Sequence, residues 1–163
     1  MTASDDVLSR NADRRHAAPD NPLPGPPGKQ LAIVTCMDCR IDLYDAAGIT
    51  PGEAHVIRNA GGIVTEDVIR SLSVSQRKLG TREVMLMHHT KCGMATFSDE
   101  DFAAELEGET GQRPQWQAGT FKDTEQDVRD GVARLRRSPF LVPDTTVRGF
   151  VHDLDTDEFV EVF

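Results

Sequence analysis

Five residues of the 163-residue chain stand out for their chemistry. Cys36, His89 and Cys92 can ligate a borderline-soft metal, and Asp38 and Arg40 lie beside the first of them. Two thiolates and one imidazole are a common zinc set. His89 and Cys92 are separated by two residues, so one turn of chain can close both on an ion. A structural zinc site normally takes four protein ligands, whereas a catalytic one leaves a position for water. The fourth position is therefore the informative one. Asp38 is placed to fill it, and Arg40 is placed to keep it away through a charge-assisted, bidentate pair. An extended segment here would point residues 36, 38 and 40 the same way. Two thiolates already neutralise Zn2+, so a carboxylate that accepts the water's hydrogen bond gains in value. The expectation is one Zn2+ per subunit, with Asp38 and Arg40 as a catalytic dyad or Asp38 as a closing fourth ligand.

Neighbouring residues admit plainer readings. On a strand His88 and His89 face opposite ways. The spacing to Cys92 selects His89 and leaves His88 to packing. Cys39 completes a CxxC with Cys36, but a redox reading leaves His89 and Cys92 without a role. Cys39 reads better as a small buried residue beside the site. His16, His55 and His152 lack a partner pattern, and Lys91 reads as solvated. Gly61-Gly62 is half of a nucleotide fingerprint; without a full GxGxxG it suits close backbone approach to a pocket. Gly61, Val64 and Gly93 are the candidate substrate-pocket residues. Val64 and Met94 read either as that pocket's apolar wall or as core.

The elements that must position these residues follow from the apolar pattern. LAIVTC (31–36) and EVMLMHH (83–89) read as buried parallel strands, and AHVIRN (54–59) as a third strand. A short helix lies between the first two strands in the chain, ended by Gly48. A helix over 61–80 is closed by Gly80. Helices are expected over 99–108 and 124–137, the latter with Val128, Val132 and Leu135 on one face. TVRGFVHDL (146–154) and EFVEVF (158–163) read as terminal strands joined by a turn at 155–157. Alternating strands and helices imply an α/β fold with a mainly parallel sheet. Such sheets place ligands at the carboxyl ends of their strands, near a topological switch point. Cys36 and His89 end two strands, so their tips converge if those strands are neighbours.

Residues 1–28 read as an N-terminal arm with a Pro-rich linker, and 29–163 as the zinc-binding α/β domain. The linker DNPLPGPPGK (20–29) holds four prolines and excludes helix and central strand. The arm at 2–19 reads as a short helix packed on another subunit or as a loose tail. A formal charge of −9 opposes nucleic-acid binding. No apolar run reaches membrane-helix length, and the charged N-terminus lacks a signal-peptide core. The three cysteines are an odd count that argues against a disulfide framework. A soluble, cytoplasmic protein is expected.

Taken with their motifs, these residues resemble the β-class carbonic anhydrases, most of all the short bacterial members. The matching segments are CMDCR (36–40), VIRNAGG (56–62) and HHTKCGM (88–94), and the resemblance runs from about residue 29 to 163. It implies a four-stranded parallel sheet with an added antiparallel edge strand, and zinc on Cys36, His89 and Cys92. It implies Asp38 and Arg40 as the dyad and CO2/bicarbonate as the substrate pair. It also implies a homodimer or higher homo-oligomer with N-terminal arms embracing the partner. Gly62 departs from the Asn that many relatives carry there, and the chain is short at its C-terminus. The alternatives are hydrolysis of carbonyl sulfide or carbon disulfide, and a zinc-stabilised regulatory or binding protein closed by Asp38.

Overall fold

The computed structural model describes residues 2–14 and 23–163. They form five strands, β1 (Leu31–Cys36), β2 (Ala54–Asn59), β3 (Glu83–His89), β4 (Thr146–His152) and β5 (Phe159–Val162). The helices are α1 (Ala3–Arg14), α2 (Leu43–Ala46), α3 (Glu66–Leu79), α4 (Asp99–Thr110) and α5 (Thr124–Arg137). The sheet order is β2-β1-β3-β4-β5. The first four strands run parallel and β5 is an antiparallel edge. This is the expected α/β architecture. The chain leaves β1 toward β2 on one side, and β3 toward β4 on the other. The switch point therefore lies between β1 and β3, the strands that carry Cys36 and His89.

Alternation along the strands sorts the core into two layers. On one face Ala32, Val34, Val84 and Leu86 meet Val68 and Leu72 of α3 and Val128, Val132 and Leu135 of α5. Each of the Val and Leu side chains, fully buried, contributes roughly 1.5–3 kcal/mol. Gly149 lets α5 press onto β4, since a Cβ there would collide with Val128 and lie 2.9 Å from Val132. On the other face Ile33, Met87 and Phe150 pack with Ile41, Leu43 and Ile49 around α2, and this layer also holds Cys36 and Cys92.

The helix expected over 61–80 starts later, at Glu66. Gly61 and Gly62 have φ of +81° and +71°, so the chain turns there before Thr65 caps the helix by accepting from Val68 N–H. Gly80, left-handed, closes it as expected. Helix α4 runs to Thr110, two residues beyond the expected end, and buries no residue. The arm is helical over Ala3–Arg14. Its continuation, His16 and the first linker residues lie outside the described residues. The rest of the linker is neither helix nor strand, and it runs beside residues 52–53 through Gly28 N–H to Gly52 O and Lys29 N–H to Glu53 O. Among the described residues no helix is long and apolar enough to cross a membrane.

Candidate metal centre

Strand β1 ends at Cys36, β3 ends at His89, and the turn after β3 brings back Cys92. Among the described residues, one ligand atom from each of these three lies within 4.8 Å of the others, and all three residues are buried. Both cysteines are free thiols. His89 Nδ1 is 2.9 Å from the carbonyl of Thr90. A carbonyl only accepts, so Nδ1 carries the proton and Nε2 presents its lone pair. That Nε2 is buried without a hydrogen-bond partner. A buried, unpaired acceptor costs about 1–3 kcal/mol, and a metal held with the two thiols accounts for it. The donor set, its burial and this orphaned nitrogen fit Zn2+.

Burial pushes the Cys36 thiol up, but the His89 imidazole and the backbone N–H groups of Asp38 and Gly61 outweigh it and bring the thiol down to about 7. Burial and the nearby Cys36 hold Cys92 up. A metal taken up there would displace the proton that burial keeps on Cys92.

Asp38 does not lie on an extended segment. The chain turns at once, with Ile41 N–H donating to Asp38 O at 3.1 Å. The turn itself makes the pair: Arg40 donates from its backbone N–H to Oδ1 at 3.0 Å, from Nε to Oδ1 at 2.9 Å and from Nη2 to Oδ2 at 2.6 Å. These bonds hold the Asp38 carboxyl far below the usual carboxylate range. Oδ2 is also 3.8 Å from His89 Nε2, beside the ligand group but bound to Arg40.

The other candidates separate cleanly. His88 faces the opposite way, donates from Nε2 to Asp127 Oδ2 at 2.7 Å and stacks on Phe121 at 5.0 Å. Cys39 is exposed rather than buried, because the turn after Asp38 carries it outward. His55 meets Ser75 Oγ at 2.7 Å, and His152 meets Asp157 at 2.6 Å. Lys91 is exposed yet paired with Asp155 at 2.6 Å. Of the pocket candidates, Gly61 approaches the site: a Cβ there would press on Ile63, Met94 and Phe121 at 3.2–3.3 Å. Val64 packs in the aliphatic layer under α3 and α5, whereas Met94 packs against the layer of both thiols. A Cβ on Gly93 would meet nothing within 4 Å, so neither space nor φ demands glycine there. Gly62 is demanded: a Cβ would lie 2.8 Å from Cys36 N and from Thr35 C.

Sequence reasoning missed Arg58. It donates from Nε to Cys36 O at 2.8 Å, from Nη2 to Asp38 O at 2.7 Å and from Nη1 to Ile41 O at 3.3 Å. One guanidinium thus staples the loop that carries Cys36, Asp38 and Arg40. The available signal was an arginine directly after the apolar Val56-Ile57 centre of a strand.

A mainly parallel α/β sheet with two thiols and one imidazole converging at its switch point is an α/β enzyme fold with a candidate metal centre. The chain belongs to the carbonic anhydrase family, in its β class: residues 31–118 match the family described as carbonic anhydrase. It is 52% identical to beta-carbonic anhydrase 1 of Mycobacterium tuberculosis over 162 residues, 99% of each chain. A solved carbonic anhydrase from Streptococcus mutans is 38% identical, with a TM-score of 0.95 over 100% of this chain and 99% of that one. A carbon disulfide hydrolase from an Acidianus species is 30% identical over 155 residues, 80% of this chain and 76% of its own.

Proposed function

We propose that the chain catalyses reversible hydration of CO2 to bicarbonate and a proton, with one Zn2+ on Cys36, His89 and Cys92 and with Asp38 and Arg40 as the dyad. The observation that carries this reading is the buried, unpartnered His89 Nε2 grouped with two free thiols beside an Arg-held carboxylate. Zinc held there would supply a Lewis acid that lowers the pKa of water. Asp38, kept ionised by Arg40, would accept a hydrogen bond from the attacking water and orient it toward CO2. Arg40 also keeps Asp38 off the fourth position. Ile63, Met94 and Phe121 give CO2 an apolar wall, and Gly61 lets the backbone come close. The proton then passes to solvent or buffer.

The full-length match to a carbonic anhydrase at 52% identity outweighs the 30% match to a carbon disulfide hydrolase. The Arg40-bound Asp38 speaks against a permanently closed site. Helix α1 leaves Val7 and Leu8 exposed on its own chain, which supports a homodimer or higher homo-oligomer with the arm laid on a partner. Thiolate ligands and three free cysteines suit a reducing compartment such as the cytoplasm.

The deciding experiment is stopped-flow CO2 hydration across pH on protein of measured zinc content, with carbon disulfide and carbonyl sulfide as parallel substrates. Hydration that scales with zinc content is expected. Full zinc with no CO2 hydration at any pH overturns the reading, and faster turnover of either sulfur compound reassigns the substrate.

A further inference from the structure

Arg40 is half exposed, so packing does not hold it. Among the described residues its hydrogen bonds go to Asp38, two positions away, and to the carbonyl of Lys91 at 3.0 Å, 51 positions away. The Lys91 carbonyl is thus the anchor that ties Arg40 to the rest of the fold. Lys91 has a φ of +57°, the left-handed region that a side-chain-bearing residue adopts only when its surroundings impose it.

Those surroundings come from the turn between β4 and β5. Thr90 N–H donates to His152 O at 2.9 Å, and Leu154 N–H donates to Thr90 Oγ1 at 3.0 Å. Lys91 Nζ donates to both carboxylate oxygens of Asp155 at 2.6 Å. The turn is itself internally fixed, since Asp153 Oδ1 accepts from Asp155 N–H at 2.8 Å and from Thr156 N–H at 3.3 Å. The bracing group therefore lies outside the ligand set, on the strand pair next to β3.

We propose that Thr90 and Lys91, braced by the β4–β5 turn through Leu154 and Asp155, are positioning residues that aim the Lys91 carbonyl at Arg40 and so keep Arg40 on Asp38. The proposal rests on the dyad role given to Asp38 and Arg40 above. Its consequence follows from distance: Asp38 Oδ2 is already 3.8 Å from His89 Nε2, so a small loosening of Arg40 frees the carboxylate to move toward the ligand group. The brace biases the site toward its open arrangement.

The test uses zinc-loaded, full-length protein and two readouts. The first is exchange of the Arg40 Nε proton with water, followed by nitrogen-15 NMR. The second is the pH dependence of CO2 hydration. Thr90→Val removes the acceptor for Leu154 N–H and should speed the exchange about fivefold. It should also move the rise of activity to more alkaline pH, because hydroxide and a freed Asp38 compete for one place. Asp155→Ala removes an exposed ion pair and should give about a twofold effect in the same direction. Thr90→Ser, which keeps the hydroxyl, should restore both readouts. Unchanged Arg40 exchange and pH profile in folded Thr90→Val and Asp155→Ala overturn the proposal while leaving the carbonic anhydrase reading intact. If Thr90→Val does not fold, Asp155→Ala alone decides, since its side chain is exposed. Wild-type protein with full zinc and no CO2 hydration overturns the functional reading instead, and the exchange measurement still decides the brace.

Discussion

His88 and His89 are adjacent, both buried, and each has one ring nitrogen bonded and one without a partner. What differs is the surroundings of the unpaired nitrogen. For His89 it is a member of a group with the Cys36 and Cys92 thiols. Among the described residues His88 belongs to no such group; its ring stacks on Phe121 and donates a hydrogen bond to Asp127 of α5. Strand alternation sends the two rings to opposite faces, and only one face brings β1 and the turn after β3 into range. Residue type and burial are the same at both positions. Convergence is what makes one of them the candidate ligand.

The comparison breaks most sharply at the ligand itself. His89→Ala should abolish stoichiometric zinc and reduce CO2 hydration by more than about 1,000-fold, read by metal analysis beside stopped-flow rates. Its melting temperature should also fall, because metal binding and folding are coupled. Near-stoichiometric zinc in that variant would move the site elsewhere. Next comes Asp38→Ala, which should keep zinc and lower turnover roughly 100-fold, the scale of a positioned proton acceptor. Wild-type turnover with zinc in place would remove Asp38 from the mechanism. The matching change at the neighbouring ring, His88→Ala, should leave zinc content near stoichiometric, with any loss of rate per zinc coming only through Phe121, on which the ring stacks. Its effect belongs to stability, about 3 kcal/mol from lost packing and a lost hydrogen bond, measured by denaturant unfolding. Loss of zinc there would show that the two histidines are not separable.

That separation was legible in the sequence because it needs only strand periodicity and a two-residue spacing. The same holds for β1, β2 and β3, whose ends at Cys36, Asn59 and His89 are marked by apolar runs meeting polar residues. Legibility failed where local pattern and long-range contact disagree. Ile63 and Val64 continue the helical spacing of α3, yet Gly62 must stay against the Thr35–Cys36 backbone, so the helix cannot begin until Thr65 caps it. The dyad pair was visible as a sequence spacing, but not the turn at Asp38 that builds it. Arg58 and Asp127 were invisible as partners, since nothing local says that a strand-end arginine reaches three carbonyls at the end of β1 and in the loop after it, or that a helix acid meets His88.

Cys39 offers the smallest effect and a clean control on that lesson. It stands three residues from Cys36 in a CxxC, and pattern alone suggests either a redox partner or a buried neighbour of the site. The turn that pairs Asp38 with Arg40 instead leaves Cys39 exposed, outside the group that Cys36 forms with His89 and Cys92. Replacing a side chain at an exposed surface position usually changes stability by no more than about 0.5 kcal/mol. Cys39→Ser should therefore match the wild type in zinc content, CO2 hydration and unfolding midpoint, under reducing and oxidising conditions alike. If oxidant inactivates the wild type and spares Cys39→Ser, the exposed thiol reaches Cys36 in solution and the CxxC has a redox life that the fold at rest does not express. If both behave alike, the pair is a coincidence of sequence and the chemistry stays with the three residues that converge.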